Sequence, residues 1–556
     1  MMPNDKISEI AAKQKEWEEG SLKEYVKENP ERDIFTEIPA KTLYTPVDRA
    51  DSEYLRDIGF PGEYPYVRGI TPTMYRSRIW PMSDYAGFGT AKETAERHKH
   101  LLAHGNTHMA VACDIPTQLG YDADDPLVEA EVGLIGVSLS SLKDVEDLLA
   151  DIPLDRVTIR GSTSSLVLPL WAMYTVAAEK KGFPVNKMMG DAKPDVMDEY
   201  LGRGTYIFPP EHSLRLSLDL VEYGLKHIPN LTYQINSYTI HEQGSTVVQD
   251  GAYSLATALF YVEEGRKRGT IDVGEFAARI SQHPAIHTHL FEEAAKSRAM
   301  RRLWARLIKE RYNPANPKAM RCVIDPNTGG SVLTAQQAEI NIIRIAMEIL
   351  AAAMGGCTVI APCSYDEALT IPTKKAVTMS LRAQQIIAYE SGVCDTVDPL
   401  GGSYYVETLT DRIEKEMLDF INKIEAQGGM MEVIRSGWLK KEISRSAYLK
   451  QKALEDGRQV RVGLNKFCVE EDIHYEMHKP NPQLLEIRRK DLKKLRAERD
   501  SAAVRSSLEA LRKAAQGTEN LMPFLQDAVR NYATIGEITR VLKDVFGEYK
   551  PKPMTF

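Results

Sequence analysis

The chain has 556 residues, of which 43% are hydrophobic and 27% are charged, and its 78 acidic and 70 basic side chains leave a net charge of −8. These proportions are typical of a soluble globular protein that is long enough for more than one domain. The mildly acidic balance argues against a general nucleic-acid-binding protein.

The six cysteines are scattered and form no C-x-x-C pair, so neither a disulfide framework nor a zinc site is predicted. Cysteine usage of this kind is typical of a reducing compartment. The polar N-terminal stretch has no secretory core, and no run of about 18 apolar residues occurs. We therefore expect a cytoplasmic protein without a membrane span.

Residues 1–70 are predicted to form an N-terminal arm. A charged helix over residues 7–29 leads into TEIPAKTLYTPVDR, whose prolines predict an extended stretch. From about residue 71 to residue 410, short apolar runs then alternate with longer amphipathic runs.

The short apolar runs of that region are candidate strands. Seven are evident: Trp80–Tyr85, Met109–Asp114, Arg156–Arg160, Val185–Met189, Tyr233–Tyr238, Met320–Asp325 and Thr358–Pro362. The pattern of a weaker eighth run, Phe276–Ser281, does not separate strand from helix. Alternating strands and helices form parallel sheets, and eight such units in roughly 330 residues suit a closed barrel, so we predict an eight-stranded (β/α) TIM barrel over residues 71–410. The alternative is an open doubly wound sheet, but no G-x-G-x-x-G fingerprint follows any of these strands.

After about residue 410 only helical patterns occur, so residues 411–556 are predicted to be a helical C-terminal segment. Its basic run IRRKDLKKLRAERD is typical of a solvated helix face. The alternative is that this run is a docking surface.

The stretch WPMSDYAGFGTAKET, residues 80–94, predicts a strand, a tight turn and a helix, because Thr90 and Glu93 have the spacing of a capping box. Tyr85 lies where the strand gives way to the turn. That position faces the ligand in barrels. The alternative is that the tyrosine only fills a gap under the loop.

The other predicted strand ends are polar, rich in glycine and nearly neutral. They are Asp114, GSTSS at 161–165, GDAK at 190–193, YTIH at 238–241, DPNTGG at 325–330, and Cys363 with Glu367. No Ser/His/Asp set or nucleophile elbow stands out. His283 and His287, like His474 and His478, are one helical turn apart, but no suitably placed carboxylate accompanies either pair, so solvated histidines are predicted rather than a metal site. A site without reactive groups of its own indicates that a cofactor carries the chemistry.

Ten segments resemble those of a known family. In chain order they are PTMYRSRIW, DYAGFGTA, GYDADDP, EVGLIGV, RGTYIFPPE, HEQGST, AKSRAMRRLWA, IPTKKA, DPLGGSYYVE and LRAERD. Their order and spacing resemble those of the adenosylcobalamin-dependent acyl-CoA mutases, from about residue 40 to the C-terminus. The resemblance implies a TIM barrel with an N-terminal arm and a helical C-terminal segment. It also implies that the pantetheine arm of CoA passes along the barrel axis between small polar side chains.

The resemblance further implies a partner. Long family members carry a C-terminal cobalamin-binding domain with the motif D-x-H-x-x-G, whose histidine ligates cobalt. Asp472 and His474 match the first two motif residues, but Met477 replaces the glycine and no such domain follows. We therefore expect a large subunit, in a heterodimer or heterotetramer, with a small cobalamin-binding subunit that ligates the cobalt and docks on the basic helical segment. A GTPase chaperone is a further candidate partner.

Position by position, the resemblance implies three sets of site residues. The catalytic set is Tyr85, Thr239 and His241. The substrate and CoA set is Thr73, Met74, Arg78, Lys193, Arg203, Tyr238, Arg279 and Ser281. The cofactor set is Asp114, Asn327, Cys363 and Glu367. In these roles Tyr85 separates the substrate from the adenosyl group, Arg203 binds a free carboxylate, Glu367 accepts hydrogen bonds from the adenosyl ribose, and Asn327 lies over the corrin.

The residue types favour one substrate class. A tyrosine at position 85 resembles the methylmalonyl type, since the isobutyryl type has phenylalanine and the 2-hydroxyisobutyryl type has isoleucine. Ala112 lacks the aspartate of the hydroxy-acyl type. Arg203 and Lys193 are cationic and suit a carboxylate, so a carboxylated acyl-CoA of the methylmalonyl/succinyl kind is predicted. The alternatives are a mutase for an isobutyryl-, ethylmalonyl- or 2-hydroxyisobutyryl-like acyl group, and a non-catalytic subunit that binds CoA esters.

Some positions depart from the methylmalonyl type. They are Ser83 for arginine, Lys193 for glutamine, Asp325 for histidine and Cys363 for asparagine. Thr239 replaces the histidine that donates a hydrogen bond to the thioester carbonyl, and losing a donor costs roughly 2.7–4 kcal/mol in comparable oxyanion sites. His241 shares the parity of Thr239 along a strand, so we expect it to reach the site if the loop bends.

Overall fold

A computed structural model describes residues 4–31, 33, 35–161, 164–470, 475 and 477–551. Asp472 and His474 of the partial cobalamin motif lie outside these residues. The described strands are short. They are β1 Tyr85–Ala86, β2 His108–Val111, β3 Thr158–Gly161, β4 Met189–Ala192, β5 Asn230–Asn236, β6 Ile280–His283, β7 Ala285–Ile286, β8 Val323–Ile324 and β9 Asn327–Thr328.

Helices make up most of the rest of the described chain. They are α1 Asn4–Trp17, α2 Lys23–Glu28, α3 Ala91–Ala103, α4 Ile115–Leu119, α5 Leu142–Leu149, α6 Val167–Lys180, α7 Pro210–His227, α8 Tyr238–Glu242, α9 Val247–Arg268, α10 Val273–Ala277, α11 Leu290–Tyr312, α12 Asn341–Met354, α13 Lys374–Glu390, α14 Tyr404–Ala426, α15 Met430–Ser436, α16 Trp438–Glu455, α17 Leu484–Glu498, α18 Ser501–Gln516, α19 Met522–Arg530 and α20 Ile535–Phe546. Short 3₁₀ and π-helical turns add to these, among them Met74–Arg76 and Glu199–Arg203. None of the described helices combines the length and apolar character needed to cross a bilayer.

Seven of the described strands form one parallel sheet in the order β1-β2-β3-β4-β5-β6-β8, and β7 pairs with β9. Helices connect the successive strands of this sheet, so the predicted α/β alternation is confirmed. The sheet curls, because Arg160 on β3 lies 2.8 Å from Asp325, which follows β8 four strand positions away. The fold is therefore a curled parallel sheet covered by helices, of the TIM-like kind.

The last predicted strand, Thr358–Pro362, makes only isolated parallel bridges: Ile360 with Met82 and Ala361 with Asn327. Backbone hydrogen bonds on both sides accompany them. The amide of Thr358 donates to the carbonyl of Ile324 at 2.6 Å, and the amide of Ser83 donates to that of Ile360 at 3.2 Å. This segment therefore lies between β8 and the residues that precede β1.

Three other predicted strands differ in position from the described ones. The run Trp80–Tyr85 overlaps β1 only at Tyr85. Residues Val185–Lys187 form a 3₁₀ turn after Pro184, and the strand begins only at Met189. Most of the run Phe276–Ser281 is not strand either, because the side chain of Asp272 accepts from the Glu275 amide and caps α10 just before β6. Strands β4 and β6 therefore exist, but the capping residues before them shift the first residue of each strand by a few positions.

The N-terminal arm packs against the body of the protein. Its predicted helix is α1 and α2 joined by a π-helical turn over Glu18–Leu22. Glu37 then accepts from the backbone amide of Val247 at 2.7 Å and pairs with Lys450 at 2.5 Å. The extended stretch is thus tied to the start of α9 and to α16.

The basic run IRRKDLKKLRAERD, residues 487–500, is not simply a solvated face. Arg488 is almost fully buried, and its guanidinium donates to both carboxylate oxygens of Asp144 on α5, at 2.6 and 2.8 Å. Arg496 lies 2.9 Å from Asp122. Bidentate, charge-assisted bonds of this kind are among the stronger polar contacts in proteins, so part of this run fastens the C-terminal segment to the helices that cover the sheet.

Candidate active site

The carboxyl ends of the strands surround a cavity of about 370 Å³. In parallel sheets this edge carries the ligand-binding residues. Eight of the predicted site residues line it: Tyr85, Lys193, Arg203, Tyr238, Thr239, Asn327, Cys363 and Glu367. We refer to it as the inner cavity.

A second cavity of about 630 Å³, the outer cavity, adjoins the first, and Tyr85, Arg203 and Glu367 line both. Most of its other lining is apolar, including Phe88, Leu134, Ile135, Leu369 and Ile371. Tyr85 is 42% exposed in the described structure. A tyrosine ring therefore stands on the wall between a polar inner space and a mainly apolar outer one.

Local sequence explains how Tyr85 reaches that wall. Its strand pairs with β2 in the register Tyr85 to Ala110. At Gly87 a Cβ atom would lie 2.0 Å from the carbonyl oxygen of Ala112, so only glycine permits this close approach. The predicted capping box is confirmed: Thr90 accepts from the amide of Glu93, whose carboxylate accepts from the amide of Thr90. Strand, turn and helix together hold the ring at the cavity wall.

Arg203 is the cation beside that tyrosine. It ends the π-helical turn over Glu199–Arg203, and Gly204 follows with φ of 87°. Its guanidinium lies 3.8 Å from the carboxylate of Glu199 and hydrogen-bonds the oxygen of Tyr85. Burial opposes the charge of Arg203, but Glu199 outweighs it and raises the pKa of the guanidinium above its usual range. The inner cavity therefore has one permanent positive charge next to Tyr85.

A buried hydrogen-bond network surrounds Thr239. Its hydroxyl donates to the carboxylate of Asp198 at 3.2 Å and accepts from Asn236 at 3.3 Å. Lys193 lies 3.2 Å from the same carboxylate oxygen. A hydroxyl has one proton to donate. Since that proton is directed to Asp198, Thr239 does not present a donor to the inner cavity in this structure.

His241 does not share the face of Thr239, so the parity argument was wrong. Residues Tyr238–Glu242 form helix α8 rather than a continued strand, and residues two apart on a helix lie about 200° apart around the axis. His241 is buried outside the lining of the inner cavity. It stacks on His287 at 4.1 Å between ring centres, and its Nε2 lies 3.5 Å from Glu293.

The group His241, His287 and Glu293 could hold a metal by donor type, since its ligand atoms lie within 4.8 Å of one another. However, the ammonium of Lys296 lies 2.6 Å from the carboxylate of Glu293. His287 also contacts Glu242, at 2.8 Å. Lys296 already compensates the charge of Glu293, and His287 is already bonded to Glu242, so we interpret the group as a structural network.

The histidines of the two spaced pairs were predicted to be solvated, but His283 is buried. His283 contacts Asp325, at 3.2 Å between Nδ1 and the carboxylate, whereas His287 belongs to the network just described. His478 lines the outer cavity beside Phe88, with ring centres 4.7 Å apart. Its predicted companion His474 lies outside the described residues.

The predicted CoA residues lie at the other edge of the sheet. Thr73, Met74 and Arg78 precede β1, and Arg279 immediately precedes β6. Thr73 and Arg78 are exposed. Ser281 lies within β6, and its buried hydroxyl has no hydrogen-bond partner among the described residues. These residues therefore mark the amino ends of the strands, while the two cavities lie at the carboxyl ends.

Asp114, predicted to contact a cofactor, caps helix α4. Its carboxylate accepts from the backbone amides of Thr117 at 2.9 Å and Gly133 at 2.7 Å. Burial raises the pKa of Asp114 to about 6, against these hydrogen bonds. The residue lies outside the linings of the two cavities, so its observed role is structural.

The interior of the curled sheet is not lined by small polar side chains alone, as had been expected for the barrel axis. Arg160 lies at the inner cavity and is held by Asp191 and Asp325, each 2.8 Å from its guanidinium. Sequence reasoning missed this group, although charged residues within buried parallel strands are unusual. Two charged residues could have indicated the group: Arg160 lies within a predicted strand, and Asp191 lies two residues after another.

Comparisons with known proteins agree on one family. The model of the family described as methylmalonyl-CoA mutase matches residues 34–548. The 2-hydroxyisobutanoyl-CoA mutase large subunit of Aquincola tertiaricarbonis is 39% identical over 98% of each chain. The methylmalonyl-CoA mutase large subunit of Streptomyces virginiae is 38% identical over 93% of this chain and 72% of its own. The mitochondrial methylmalonyl-CoA mutase of Homo sapiens is 37% identical over 96% of this chain and 72% of its own.

Proposed function

Because the chain belongs to the methylmalonyl-CoA mutase family, an isomerase family of acyl-CoA mutases, we propose that it is the substrate-binding large subunit of an adenosylcobalamin-dependent mutase that rearranges a carboxylated acyl-CoA. The observation that carries this proposal is the pairing of Tyr85 with Arg203 on the wall shared by the inner and outer cavities. The inner cavity then holds the acyl group and the outer one faces the cofactor.

The carboxylate preference rests on charge. Arg203 keeps its charge at any physiological pH and presents planar donors that match a carboxylate. Lys193 is a further cation of the lining, though Asp198 partly neutralises it. A substrate carboxylate in the inner cavity would pair with Arg203 and would stay oriented against Tyr85. Ala112, which lines the outer cavity, lacks the aspartate that the resemblance associates with the hydroxy-acyl type, so this position does not support a hydroxylated substrate.

The outer cavity fits part of a cofactor of this kind. Its mainly apolar lining suits a flat organic surface, and the carboxyl group of Glu367 on the shared wall suits the hydroxyls of a ribose. Asn327 and Cys363 line the inner cavity close to the same wall. When bound, adenosylcobalamin supplies the radical chemistry. The residues of this chain position the acyl group, exclude water and hold the substrate carboxylate.

We also propose that the segment Thr358–Pro362 is the eighth strand and closes the barrel. Its isolated bridges to Met82 on one side and Asn327 on the other support this closure. A closed barrel has no free sheet edge, so the inner cavity would be walled on all sides by strands.

A small cobalamin-binding subunit is the proposed partner in a heteromeric assembly, with the cytoplasm as the proposed location. Two relatives whose names include "large subunit" support such a partner. Exposed apolar side chains around the outer cavity, such as Ile135 at 62% exposure, also fit a surface that a partner covers.

The function is tested by incubating the purified chain with its cobalamin-binding subunit, adenosylcobalamin and a panel of acyl-CoA thioesters. We expect isomer formation, detected by mass spectrometry, from methylmalonyl-CoA or succinyl-CoA and not from isobutyryl-CoA. Turnover of isobutyryl-CoA alone would contradict the carboxylate preference. Binding of CoA esters without any turnover would favour the second candidate, a non-catalytic subunit, which the commitment of the Thr239 hydroxyl to Asp198 supports.

Glu367 predicts a pH dependence of cofactor binding. Desolvation by the surrounding protein raises the pKa of Glu367 to about 7, although the residue is exposed at the cavity. Below pH 7 the carboxyl group is neutral, and above pH 7 it is the stronger acceptor for ribose hydroxyls. We expect the affinity of the assembled enzyme for adenosylcobalamin, measured by spectrophotometric titration, to increase between pH 6 and pH 8, by less than about tenfold because solvent screens an exposed carboxyl group. The variant Glu367→Gln should bind with the same affinity at both pH values, and a wild-type slope in that variant would exclude this role.

A further inference from the structure

An ion-pair network crosses the interior of the curled sheet. The guanidinium of Arg160 on β3 lies 2.8 Å from Asp191 on the neighbouring strand β4 and 2.8 Å from Asp325 beyond β8. The side chains are 7%, 4% and 3% exposed, so the contact is buried. We call Arg160, Asp191 and Asp325 the axial lock.

The lock joins strands that are far apart in the sheet. The order β3-β4-β5-β6-β8 puts four strand spacings between Arg160 and Asp325. In a flat sheet this separation is about 19 Å, at about 4.8 Å per strand. A direct contact is possible only because the sheet curls and the arginine reaches through the enclosed space.

Other groups hold the lock in place. The hydroxyl of Thr232 donates to Asp191 at 2.9 Å, and Nδ1 of His283 lies 3.2 Å from the carboxylate of Asp325. His108, the first residue of β2, lies close enough to Arg160 and Asp325 for both charges to affect its pKa. One guanidinium therefore faces two carboxylates in a low-dielectric interior, where such pairs are strongly held.

The lock lies on the route between two groups of residues. Arg160 lines the inner cavity, whose other residues follow the carboxyl ends of the strands. Arg78 and Arg279, assigned to CoA, lie before the amino ends. Ser281, whose hydroxyl has no hydrogen-bond partner in the described part of the chain, pairs with Val323 of β8, and Val323 lies two residues before Asp325. A chain that links the two edges through the interior has to pass Arg160.

We propose that the axial lock controls access to the inner cavity: Arg160 has to release Asp325 before a pantetheine-type amide chain can pass. This inference rests on the proposed function, because it assumes a CoA ester as ligand. The apparent affinity for CoA is lowered by the small fraction of molecules in which the lock is open.

The test compares two ligands that differ in the tail. Coenzyme A carries the pantetheine chain, whereas adenosine 3′,5′-diphosphate carries only the nucleotide end. In the purified full-length chain with all three lock residues changed to serine, R160S/D191S/D325S, we expect CoA to bind about tenfold more tightly and faster than in wild type, by calorimetry and stopped-flow mixing. Binding of adenosine 3′,5′-diphosphate should not change, because this ligand does not reach the lock. The matched control is Arg156→Ser, since Arg156 is an exposed arginine just before β3. This variant should leave the affinity for both ligands unchanged.

The possible outcomes distinguish a failure of the axial-lock proposal from a failure of the proposed function. If wild type and the triple variant bind CoA equally well, the lock is not a barrier and the inference is wrong. If neither binds CoA, the proposed function fails, and the inference fails with it. Should the triple variant not fold, the near-isosteric pair R160Q/D325N replaces it, and an unchanged CoA affinity in that pair overturns the inference equally.

Discussion

Replacing Arg203 with glutamine is expected to lower kcat/KM for a carboxylated acyl-CoA by about 30- to 1,000-fold, since a charge-assisted pair lost from a partly buried site costs roughly 2–4 kcal/mol. The side chain of Arg203 is 26% exposed, and its guanidinium contacts Tyr85 and lies 3.8 Å from Glu199. Glutamine keeps much of the volume and some donor capacity but has no charge. Activity with a monocarboxylic acyl-CoA should therefore stay within about threefold of wild type.

The measurement is steady-state kinetics with both substrate classes on the reconstituted enzyme. Arg203→Lys should fall between wild type and Arg203→Gln, because lysine retains the charge but lacks the planar fork. The matched control is Arg412→Gln, at a surface arginine paired with Glu416 at 2.8 Å, and it should have no kinetic effect. An equal loss on both substrate classes in Arg203→Gln would show that the arginine supports the fold of the site rather than the substrate carboxylate.

Replacing Lys296 with methionine is expected to lower the free energy of unfolding by about 3–5 kcal/mol at pH 7, because it leaves buried carboxylates without a counter-charge. The ammonium of Lys296 is fully buried. It lies 2.7 Å from Asp250 and 2.6 Å from Glu293, and it donates to the carbonyl of Ala285 at 2.6 Å. Burial alone would disfavour this cation, but the two carboxylates outweigh burial and raise the pKa of Lys296 above its usual range.

The sign of the pH dependence follows from the same network. Unpaired buried carboxyl groups become neutral as the pH falls, so the stability difference between Lys296→Met and wild type should shrink between pH 7 and pH 5. Asp250→Asn in the Lys296→Met background should recover part of the loss. Lys415→Met, at an exposed lysine 3.2 Å from Asp419, is the control and should change stability little in urea unfolding. If the two lysine variants lose the same stability, the buried network does not contribute as argued.

The alternation of strands and helices was predictable because both periodicities depend on residues that are close in sequence. The exact first residue of each strand was harder to predict. Near Val185 and Phe276, Pro184 and the cap at Asp272 override an apolar pattern that suits either structure. At the C-terminal end of β5, apolar and aromatic residues continue through Tyr238 and Ile240, but the chain turns into helix α8. This turn is what separates His241 from Thr239.

The candidate site was predictable where a motif brings its residues together. Tyr85 and Arg203 each lie in a segment with a family resemblance, and the structure places them side by side. The partners of Thr239 and Arg160 were not predictable, because their contacts join residues far apart in the chain. Asp325 follows Arg160 by 165 residues. No local pattern links two such positions, and only the curl of the sheet brings them into contact.

The axial lock also constrains how this sequence can diverge. An ancestor without the lock cannot acquire Arg160 alone, and a descendant cannot discard it alone, without passing through a protein that buries an unmatched charge at the centre of its fold. Changes at positions 160, 191 and 325 are therefore selected as a set. Lineages of the family should divide into those with all three charges and those with none.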